Sequence, residues 1–514
     1  MNLVIVHYHL NRGGVTRVIE NQLAALSSAA AGGPSWRVAI LYGGRREGFN
    51  EQLASRLPSV ELSLHEIPEL EYDHLPRTSD RGGPAELLMA VMVVLGELGF
   101  SPADTLIHVH NHSLGKNAAL PEVLPILAED GYALLLEPHD FAEDFRPENY
   151  VLVRRMAAEG TLYPQAPHIH YAVLNARDQA ILGQSGIPAG RLHLLPNPVP
   201  ELASLPPRDE ARVKLAERFG IPADARFLLS PVRCIRRKNI GEVLLMACAA
   251  PDDTVFGITL APLNPVEMPY YQRWKRLAGE LNLRCRFEVG GPDGLSFREN
   301  RAAADAIVTT SVAEGFGMAT LEAWLVGCPL IGRDLPEINA DFRNAGMQLD
   351  GLNPRLAVPV DWIGREAFCE CFAAVYRRTL DAFGQPVPSN LAEHVDAKIV
   401  DGRVDFADLN SDLQEQVIRI VCGNRARIEE LLAGNPWLGE AMRVTRASSA
   451  EQIAANVAVI EKTYSLEPSG QRLVDVYRAT GEAPRDRAPE PLENPGGLLA
   501  RFLTPGRFRP IRLE

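Results

Sequence analysis

The stretch Ala306-Ile-Val-Thr-Thr-Ser-Val-Ala-Glu-Gly-Phe-Gly-Met-Ala-Thr-Leu-Glu322 predicts a strand, a loop and a helix in direct succession. Its first six residues form a short apolar run that ends in small polar residues, as a buried strand does. The loop contains two glycines, and the predicted helix Met318–Val326 stops at Gly327, a common helix-ending residue. A strand followed directly by a helix is the unit from which parallel α/β sheets are built.

Short apolar runs alternate with helical patterns on both sides of this unit. The predicted strands are Leu3–His7, Arg37–Leu41, Thr105–His110, Ala133–Glu137 and His168–Leu174, then Arg226–Pro231, Val255–Leu260, Cys285–Val289, Ala306–Thr310 and Pro329–Gly332. Between the two sets lies Leu194-Leu-Pro-Asn-Pro-Val-Pro200, whose prolines forbid a helix and indicate a domain crossing. The sequence therefore predicts an α/β protein with two doubly wound halves.

The length of 514 residues also favours two domains, because single cores stop growing at roughly 250–300 residues. We expect an N-terminal domain over 1–196 and a C-terminal domain with a helical extension over 197–450. Residues 365–445 have a mostly helical pattern, with a stretch at 385–405 that the pattern does not place. Terminal helices are predicted within 451–483, packing back toward the first domain. The tail 484–514 is rich in Pro, Arg and Glu and is expected to be loosely ordered.

Composition excludes several classes of protein. A net charge of −13 argues against a nucleic-acid binder, which usually carries a basic face. Seven scattered cysteines favour free thiols in a reducing compartment, and we expect a cytoplasmic protein. The longest apolar stretch, Leu87–Leu95, is too short to span a membrane, while peripheral membrane contact stays open.

The segment Asn11-Arg-Gly-Gly14 lies between the first strand and the first helix. Gly13 and Gly14 would let the backbone approach a ligand, and a helix start suits phosphate or carboxylate. A plain tight turn is the alternative. The full Gly-x-Gly-x-x-Gly pattern is absent, so a nicotinamide-binding site is not supported.

A basic segment, Pro231-Val-Arg-Cys-Ile-Arg-Arg-Lys-Asn239, follows the first strand of the second half. Arg233 can bind phosphate oxygens in a bidentate manner and Lys238 adds a point charge, so the pair could neutralise a diphosphate. Arg236 and Arg237 are expected to face solvent. The alternative is a solvated charged loop.

Two glutamates flank the predicted start of a helix in the second half. Glu314 lies in the loop, and Glu322 lies just over one turn into the helix, where its carboxylate could accept from vicinal hydroxyls. The alternative for Glu322 is an ordinary surface carboxylate. The N–H groups of Phe316, Gly317 and Met318 would point toward an anion at the helix start.

Histidines end two strands of the first half. His108-Val-His-Asn-His112 ends one strand, and His139 follows the next, ahead of Asp140, Glu143 and Asp144 in a polar cluster expected to face the interdomain cleft. We expect no metal here, on the reasoning that alternate strand positions point to opposite faces and that no carboxylate is spaced to complete a site. Structural histidines are the alternative.

Together these residues resemble glycosyltransferase family four, the retaining group with the GT-B fold. The shared features are Gly13-Gly14, the Arg233 and Lys238 pair, Glu314-Gly-Phe-Gly317 with Glu322, and Pro336-Glu337. The resemblance covers residues 1 to about 345. Departures are Pro198 after Pro196-Asn197, and Arg333-Asp334 in place of two glycines, which puts substrate detail there in doubt.

The resemblance implies two Rossmann-like domains facing a cleft and a hexosyltransferase of carbohydrate biosynthesis without a bound cofactor or metal. The co-substrate would be a nucleotide-diphosphate sugar, UDP- or GDP-linked, and the acceptor an unidentified hydroxyl compound. Arg233 and Lys238 would neutralise the leaving diphosphate, and Gly13, Gly14 and the Phe316–Met318 backbone would help to bind the donor. Glu314 would hold sugar hydroxyls, Glu322 the ribose diol and His139 the sugar near its anomeric carbon. A GT-B phosphorylase or epimerase, or a catalytically silent partner-binding scaffold, are the alternatives.

Overall fold

The computed structural model describes residues 2–30, 35–73, 83–202 and 204–514. The chain forms two compact units. Unit 1 consists of Met1–Pro200 and Glu461–Thr504, and unit 2 of Glu201–Ile460 and Pro505–Glu514. The polypeptide therefore passes between the units three times. The predicted N-terminal domain over 1–196 therefore lacks Glu461–Thr504, and the predicted tail 484–514 is divided between the two units.

Unit 1 contains a seven-stranded, wholly parallel sheet with the strand order β3-β2-β1-β4-β5-β6-β7. Its first part runs β1 (Asn2–His7), α1 (Gly14–Ala29), β2 (Trp36–Tyr42), β3 (Val60–Glu66), α2 (Pro84–Leu98) and β4 (Thr105–His110). It continues with α3 (Ala119–Glu129), β5 (Ala133–Glu137), α4 (Pro147–Glu159), β6 (Ile169–Val173), α5 (Ala176–Gln184) and β7 (Leu192–Leu194). The central strands β1, β4 and β5 are buried along their whole length, which explains their continuous apolar runs.

The C-terminal helices complete this unit. They are α18 (Leu466–Gly481), α19 (Pro495–Phe502) and the end of α17 (Ala450–Tyr464), whose residues up to Ile460 belong to unit 2. Helix α18 packs along α1, and its Leu473 and Tyr477 belong to the same buried cluster as Leu3 and Ile19. Phe502 of α19 contacts Phe141, with their ring centroids 4.8 Å apart. The segment expected to be a loose tail is thus partly helical, because its scattered apolar residues bury against unit 1.

Unit 2 contains a six-stranded parallel sheet with the order β10-β9-β8-β11-β12-β13. Its elements begin with α6 (Arg208–Phe219), β8 (Arg226–Arg233), α7 (Ile240–Ala249), β9 (Thr254–Leu260), α8 (Met268–Glu280), β10 (Cys285–Phe287) and α9 (Phe297–Ala303). They continue with β11 (Ala306–Thr309), α10 (Met318–Leu325), β12 (Leu330–Arg333), α11 (Pro336–Asn344) and β13 (Leu352–Asn353). Strands β8 and β11 are neighbours, so the loops that follow them lie side by side.

The helical stretch predicted after residue 365 also holds one short strand, which pairs with another just before it. The elements of this region are β14 (Ala357–Pro359), α12 (Arg365–Ala382), α13 (Leu391–Asp396), β15 (Arg403–Asp405), α14 (Ser411–Val421), α15 (Arg425–Gly434) and α16 (Pro436–Ala441). Strands β14 and β15 pair antiparallel outside the main sheet. No helix in the described part of the chain combines the length and apolar character that a membrane-spanning segment needs.

Candidate functional site

The loops after β8 and β11 form one bonded unit at the carboxyl edge of the second sheet. Residues Arg236–Lys238 form a 3-10 turn after β8. The Val312 N–H donates to the Arg237 carbonyl over 2.9 Å, and the Thr310 hydroxyl donates to the Lys238 carbonyl over 2.7 Å. Ligands of open α/β sheets bind at this edge, so the basic turn and the glutamate loop occupy the expected position together.

The carboxylate of Glu314 binds two cations of that turn. Arg237 Nη1 lies 2.5 Å from Glu314 Oε2, and Lys238 Nζ contacts Oε1. Burial alone would raise the pKa of Glu314, but the charges of Arg237 and Lys238 outweigh it and lower that pKa to about 2. Glu314 is therefore a carboxylate at neutral pH. Arg237, expected to face solvent, is instead an ion-pair partner, and Arg236 likewise pairs with Glu267 over 3.0 Å.

Arg233 is the last residue of β8 and is half-buried. Its guanidinium forms no hydrogen bond or ion pair with any residue in the described ranges. It differs in this from its neighbours Arg236, Arg237 and Lys238, all of which are paired. A half-buried, unpaired guanidinium beside a paired lysine suits a dianionic ligand such as a diphosphate.

Helix α10 begins at Met318, and Gly317 before it has a φ of +86°, in the left-handed region that favours glycine. In the first turn of the helix, which starts at Met318, the backbone N–H groups have no partners inside the helix. Phe316 is buried, with its ring edge-on to Phe342 at 5.5 Å. Lys238, Glu314 and Gly317 line one depression, so the helix start and the ion pair share a site.

Glu322 lies on the same helix but is paired. Its Oε2 lies 2.5 Å from Arg301 Nη2 on α9, and the two side chains are 25% and 4% exposed. Arg301 is also stacked over the ring of Phe297 at 3.7 Å. The carboxylate keeps some exposure for a ligand, yet it also supplies the countercharge of a buried arginine.

The departure at Arg333-Asp334 has a structural explanation. Arg333 is 2% exposed and binds Glu242 over 2.6 Å and Asp405 over 2.8 Å. Asp334 binds Arg343 over 2.9 Å. Arg333 is thus committed to a buried ion-pair network that ties β12 to α7 and β15.

In unit 1, Gly13 is the residue before α1 and its φ of −169° is extended backbone. An added Cβ at Gly13 would meet only the Asn11 carbonyl oxygen, at 3.8 Å, and one at Gly14 would meet nothing within 4 Å. Both glycines are exposed. Protein packing therefore does not require glycine at either position, whereas close approach of a ligand would.

His139 is held at the carboxyl edge of the first sheet. Its backbone N–H donates to Asn111 Oδ1 over 2.7 Å, and its Nε2 is 2.8 Å from His110 Nδ1. Burial lowers the pKa of His139 and lowers that of His110 further, so both rings are neutral at pH 7. Of the polar cluster expected beside it, Asp140 pairs with Arg146 and Glu143 is buried.

The reasoning against a metal at the histidines was wrong in two respects. His108 and His110 are two residues apart on β4, so their side chains share a face. Glu137 of β5 is in register with His110 and supplies the carboxylate that was not recognised. These three residues bring one ligand atom each within 4.8 Å of one another.

Several of these partners escaped the sequence analysis. Arg301 and Glu137 carry no motif, and only the tertiary fold and the pairing of β4 with β5 bring them to their partners. The register of adjacent parallel strands could have identified Glu137, because it ends its strand as His110 does.

Comparison with known proteins gives one curated relative and many similar structures. No protein-family model matches the chain. Mannosylglucosyl-3-phosphoglycerate synthase of Petrotoga mobilis is 28% identical over 351 residues, which is 67% of this chain and 66% of that protein. The chain thus matches slightly less than two thirds of that relative's length.

Two crystal structures are similar across nearly the whole chain. Anabaena HepE in complex with UDP and glucose has a TM-score of 0.53 at 13% identity, covering 93% of this chain and 100% of its own. Sucrose-phosphate synthase from Thermosynechococcus elongatus has a TM-score of 0.52 at 16% identity, covering 93% and 98%. With the two parallel-sheet units, these likenesses show the GT-B fold.

Proposed function

We propose that this chain is a hexosyltransferase that moves a sugar from a nucleotide-diphosphate sugar to a hydroxyl acceptor with retention of configuration. The observation that carries the proposal is the group at the carboxyl edge of the second sheet. There an unpaired Arg233 lies in the same basic segment as Lys238, which binds Glu314. The GT-B fold and the naming of the curated relative as a sugar-phosphoglycerate synthase support the same reaction class.

In this reaction the diphosphate is the leaving group and gains negative charge as the glycosidic bond breaks. Arg233 and Lys238 stabilise that charge, and the N–H groups at the start of α10 add to the stabilisation. Lys238 exchanges part of its contact with Glu314 for the phosphate, which frees Glu314 to accept from sugar hydroxyls. The acceptor hydroxyl then attacks from the face that the diphosphate leaves, so the configuration is retained.

The remaining residues bind the rest of the donor. Glu322 accepts from the ribose diol through the part of its carboxylate that Arg301 leaves exposed. His139 contacts the sugar, and the helix start at Gly14 binds an anionic group. The chemistry needs no metal at the diphosphate, because the cations of the basic segment take that role.

The donor is proposed to be a UDP- or GDP-sugar. A thermal-shift panel of UDP, GDP, ADP and their sugars tests this, since a ligand present at 100 times its Kd stabilises the folded state by about 2.7 kcal/mol. We expect one uridine or guanosine diphosphate series to raise Tm. A rise with sugar phosphates alone would favour a phosphorylase, and no rise with any nucleotide would favour a silent scaffold.

We further propose that the acceptor carries acid groups, as the name of the curated relative indicates for that protein. Three cations lie in the loops that follow β2, β4 and β5: Arg45, Lys116 and Arg146. Arg45 pairs loosely with Glu71 at 3.5 Å, and Lys116 lies over the ring of Tyr72 at 5.7 Å. The loops 43–85 and 108–118, where the acceptor would bind, carry no recognisable sequence motif, and residues 74–82 lie outside the described residues.

The acceptor is tested by transfer to glucosyl-3-phosphoglycerate against neutral glucosylglycerol. We expect transfer to the acidic compound alone, and the anomeric configuration of the product, read by NMR, to match that of the donor. Equal transfer to both acceptors would contradict the acidic acceptor, and an inverted product would contradict retention. The reducing cytoplasm is the proposed location, because all seven cysteines are free.

A further inference from the structure

A group of buried side chains in unit 1 is not used by the proposed transfer reaction. His108 and His110 project from one face of β4, and Glu137 projects from the adjoining end of β5. All three are 0% exposed. His108 Nε2 lies 2.8 Å and His110 Nδ1 lies 3.5 Å from the same oxygen, Glu137 Oε2.

These separations suit ligands of one metal ion. Tetrahedral zinc binds imidazole nitrogen and carboxylate oxygen at roughly 2.0–2.2 Å, which places the ligand atoms about 3.3 Å from one another. The contact between His108 Nε2 and Glu137 Oε2 spans 2.8 Å, and no other atom of the described residues bonds to this nitrogen. Two ligand atoms that face a common ion approach each other in this manner.

The surrounding side chains fit the outer shell of a metal site. Tyr477 Oη lies 2.9 Å from His108 Nδ1, the ring nitrogen that would remain when Nε2 binds a metal. Gln22 Nε2 donates to both oxygens of Glu137, over 3.2 and 2.9 Å. Metal-binding histidines and carboxylates are usually fixed by such second contacts. His139 Nε2 lies 2.8 Å from His110 Nδ1 and fixes that ring from outside the ligand group.

The charge of the group also calls for a cation. No lysine or arginine in the described ranges forms an ion pair with Glu137, whose only ion-pair contacts are histidines. A buried carboxylate without a countercharge is costly, and one divalent ion would provide it.

We propose that His108, His110 and Glu137 bind a structural zinc ion beneath α1 and α18. Zinc suits a set of two imidazoles and one carboxylate better than magnesium or calcium, which prefer oxygen ligands. The complete burial of the ligands fits an ion that stabilises the fold. The proposal does not depend on the sugar-transfer reaction.

The experiment is elemental analysis of the full chain, purified without a histidine tag and without added metal. We expect about one zinc ion per chain, as a closed structural site retains its metal. Removing the ion with a chelator should lower Tm, and adding zinc should restore it. Cobalt added to the metal-free protein should give the intense visible spectrum of a four-coordinate ion.

His108→Asn and Glu137→Gln should lose the zinc, whereas His112→Asn should keep it. His112 is a fair control because it is equally buried and follows the same strand, yet it is not part of the ligand group. If the variants fail to fold, the cobalt titration of the wild-type chain still tests whether the site binds a metal ion. Purified protein without zinc, together with no change in Tm or spectrum on adding zinc or cobalt, would overturn the proposal.

Discussion

Glu314 and Lys238, predicted to bind different parts of the donor, are bound to each other. The carboxylate contacts the amine, and both side chains are largely buried, with exposures of 18% and 12%. Glu314 therefore holds Lys238 at the carboxyl edge of the sheet before any phosphate arrives. Because a donor must compete with Glu314 for the lysine, removing either residue changes more than one contact.

Lys238→Ala should lower kcat by about 100-fold or more, because one charge opposite the developing diphosphate anion is lost. Glu314→Ala should reduce turnover comparably, since the sugar loses its hydroxyl acceptor. Both variants should fold as the wild type does. The measurement is steady-state kinetics with the preferred nucleotide sugar, alongside far-UV circular dichroism.

Arg236→Gln is the matched control, because Arg236 lies in the same turn but pairs with Glu267. It should keep near-wild-type kinetics. Full activity in both Lys238→Ala and Glu314→Ala would contradict the site assignment.

Two substitutions of Glu322 should distinguish its role in binding the ligand from its role in stabilising the fold. Glu322→Ala should destabilise the fold by about 1–3 kcal/mol, because Arg301 is left buried without its partner. Glu322→Gln should keep most of that stability, yet raise the KM for the nucleotide sugar through weaker ribose binding. Denaturant titration and donor kinetics check the two effects, and an unchanged KM in Glu322→Gln would leave the residue a purely structural role.

Alanine substitutions of the glycines at the starts of α1 and α10 should have different effects on stability and activity. Gly317 has a φ of +86°, so Gly317→Ala should cost about 1–2 kcal/mol of stability. Gly13→Ala and Gly14→Ala should leave Tm nearly unchanged, because an added Cβ meets no close neighbour. They should nevertheless lower activity by crowding the ligand. Wild-type activity in Gly13→Ala and Gly14→Ala would mean that no ligand approaches this turn.

Glu143 gives the fold a pH dependence. Burial raises the pKa of Glu143 to about 7, although the Tyr163 hydroxyl donates to its Oε1 over 3.1 Å. The folded state thus keeps a proton that the unfolded state releases near pH 4.5, so stability falls as pH rises from about 4.5 to about 7. The loss is on the order of 3 kcal/mol. Glu143→Gln should remove this slope in Tm against pH, and an unchanged slope would contradict the assignment.

Arg333 should prove structural. Arg333→Met leaves Glu242 and Asp405 buried without their cation, a loss that typically costs about 3–5 kcal/mol. Calorimetry should therefore show Tm lower by on the order of 10 °C. Arg343→Met removes a more exposed partner of Asp334 and should cost less than about 1 kcal/mol. Similar Tm losses in the two variants would argue against the buried network.

Sequence patterns identified the central strands because both faces of those strands are covered. Thr105–His110 and Ala133–Glu137 occur at the predicted bounds, as continuous apolar runs require. The edge strand Val60–Glu66 was missed although its apolar and polar residues alternate, which is the pattern of a half-buried strand. The short pair β14 and β15 was missed because three-residue strands carry almost no pattern.

In the candidate site, too, sequence motifs identified some features and missed others. Motif spacing identified Arg233, Lys238, Glu314 and Glu322, because these residues belong to local strand-loop-helix units. It could not identify which charges pair. Arg301 on α9 reaches Glu322 on α10 only in the folded chain, so that contact depends on tertiary structure.

The position of α18 has a consequence for how the chain is made. Leu473 and Tyr477 complete the same buried cluster as Leu3 and Ile19, so the first 200 residues cannot close their core when they leave the ribosome. Nearly all of unit 2 is synthesised before that helix emerges. The core of unit 1 thus stays incomplete until most of the chain has been synthesised, and its apolar surface is exposed to non-native contacts during translation.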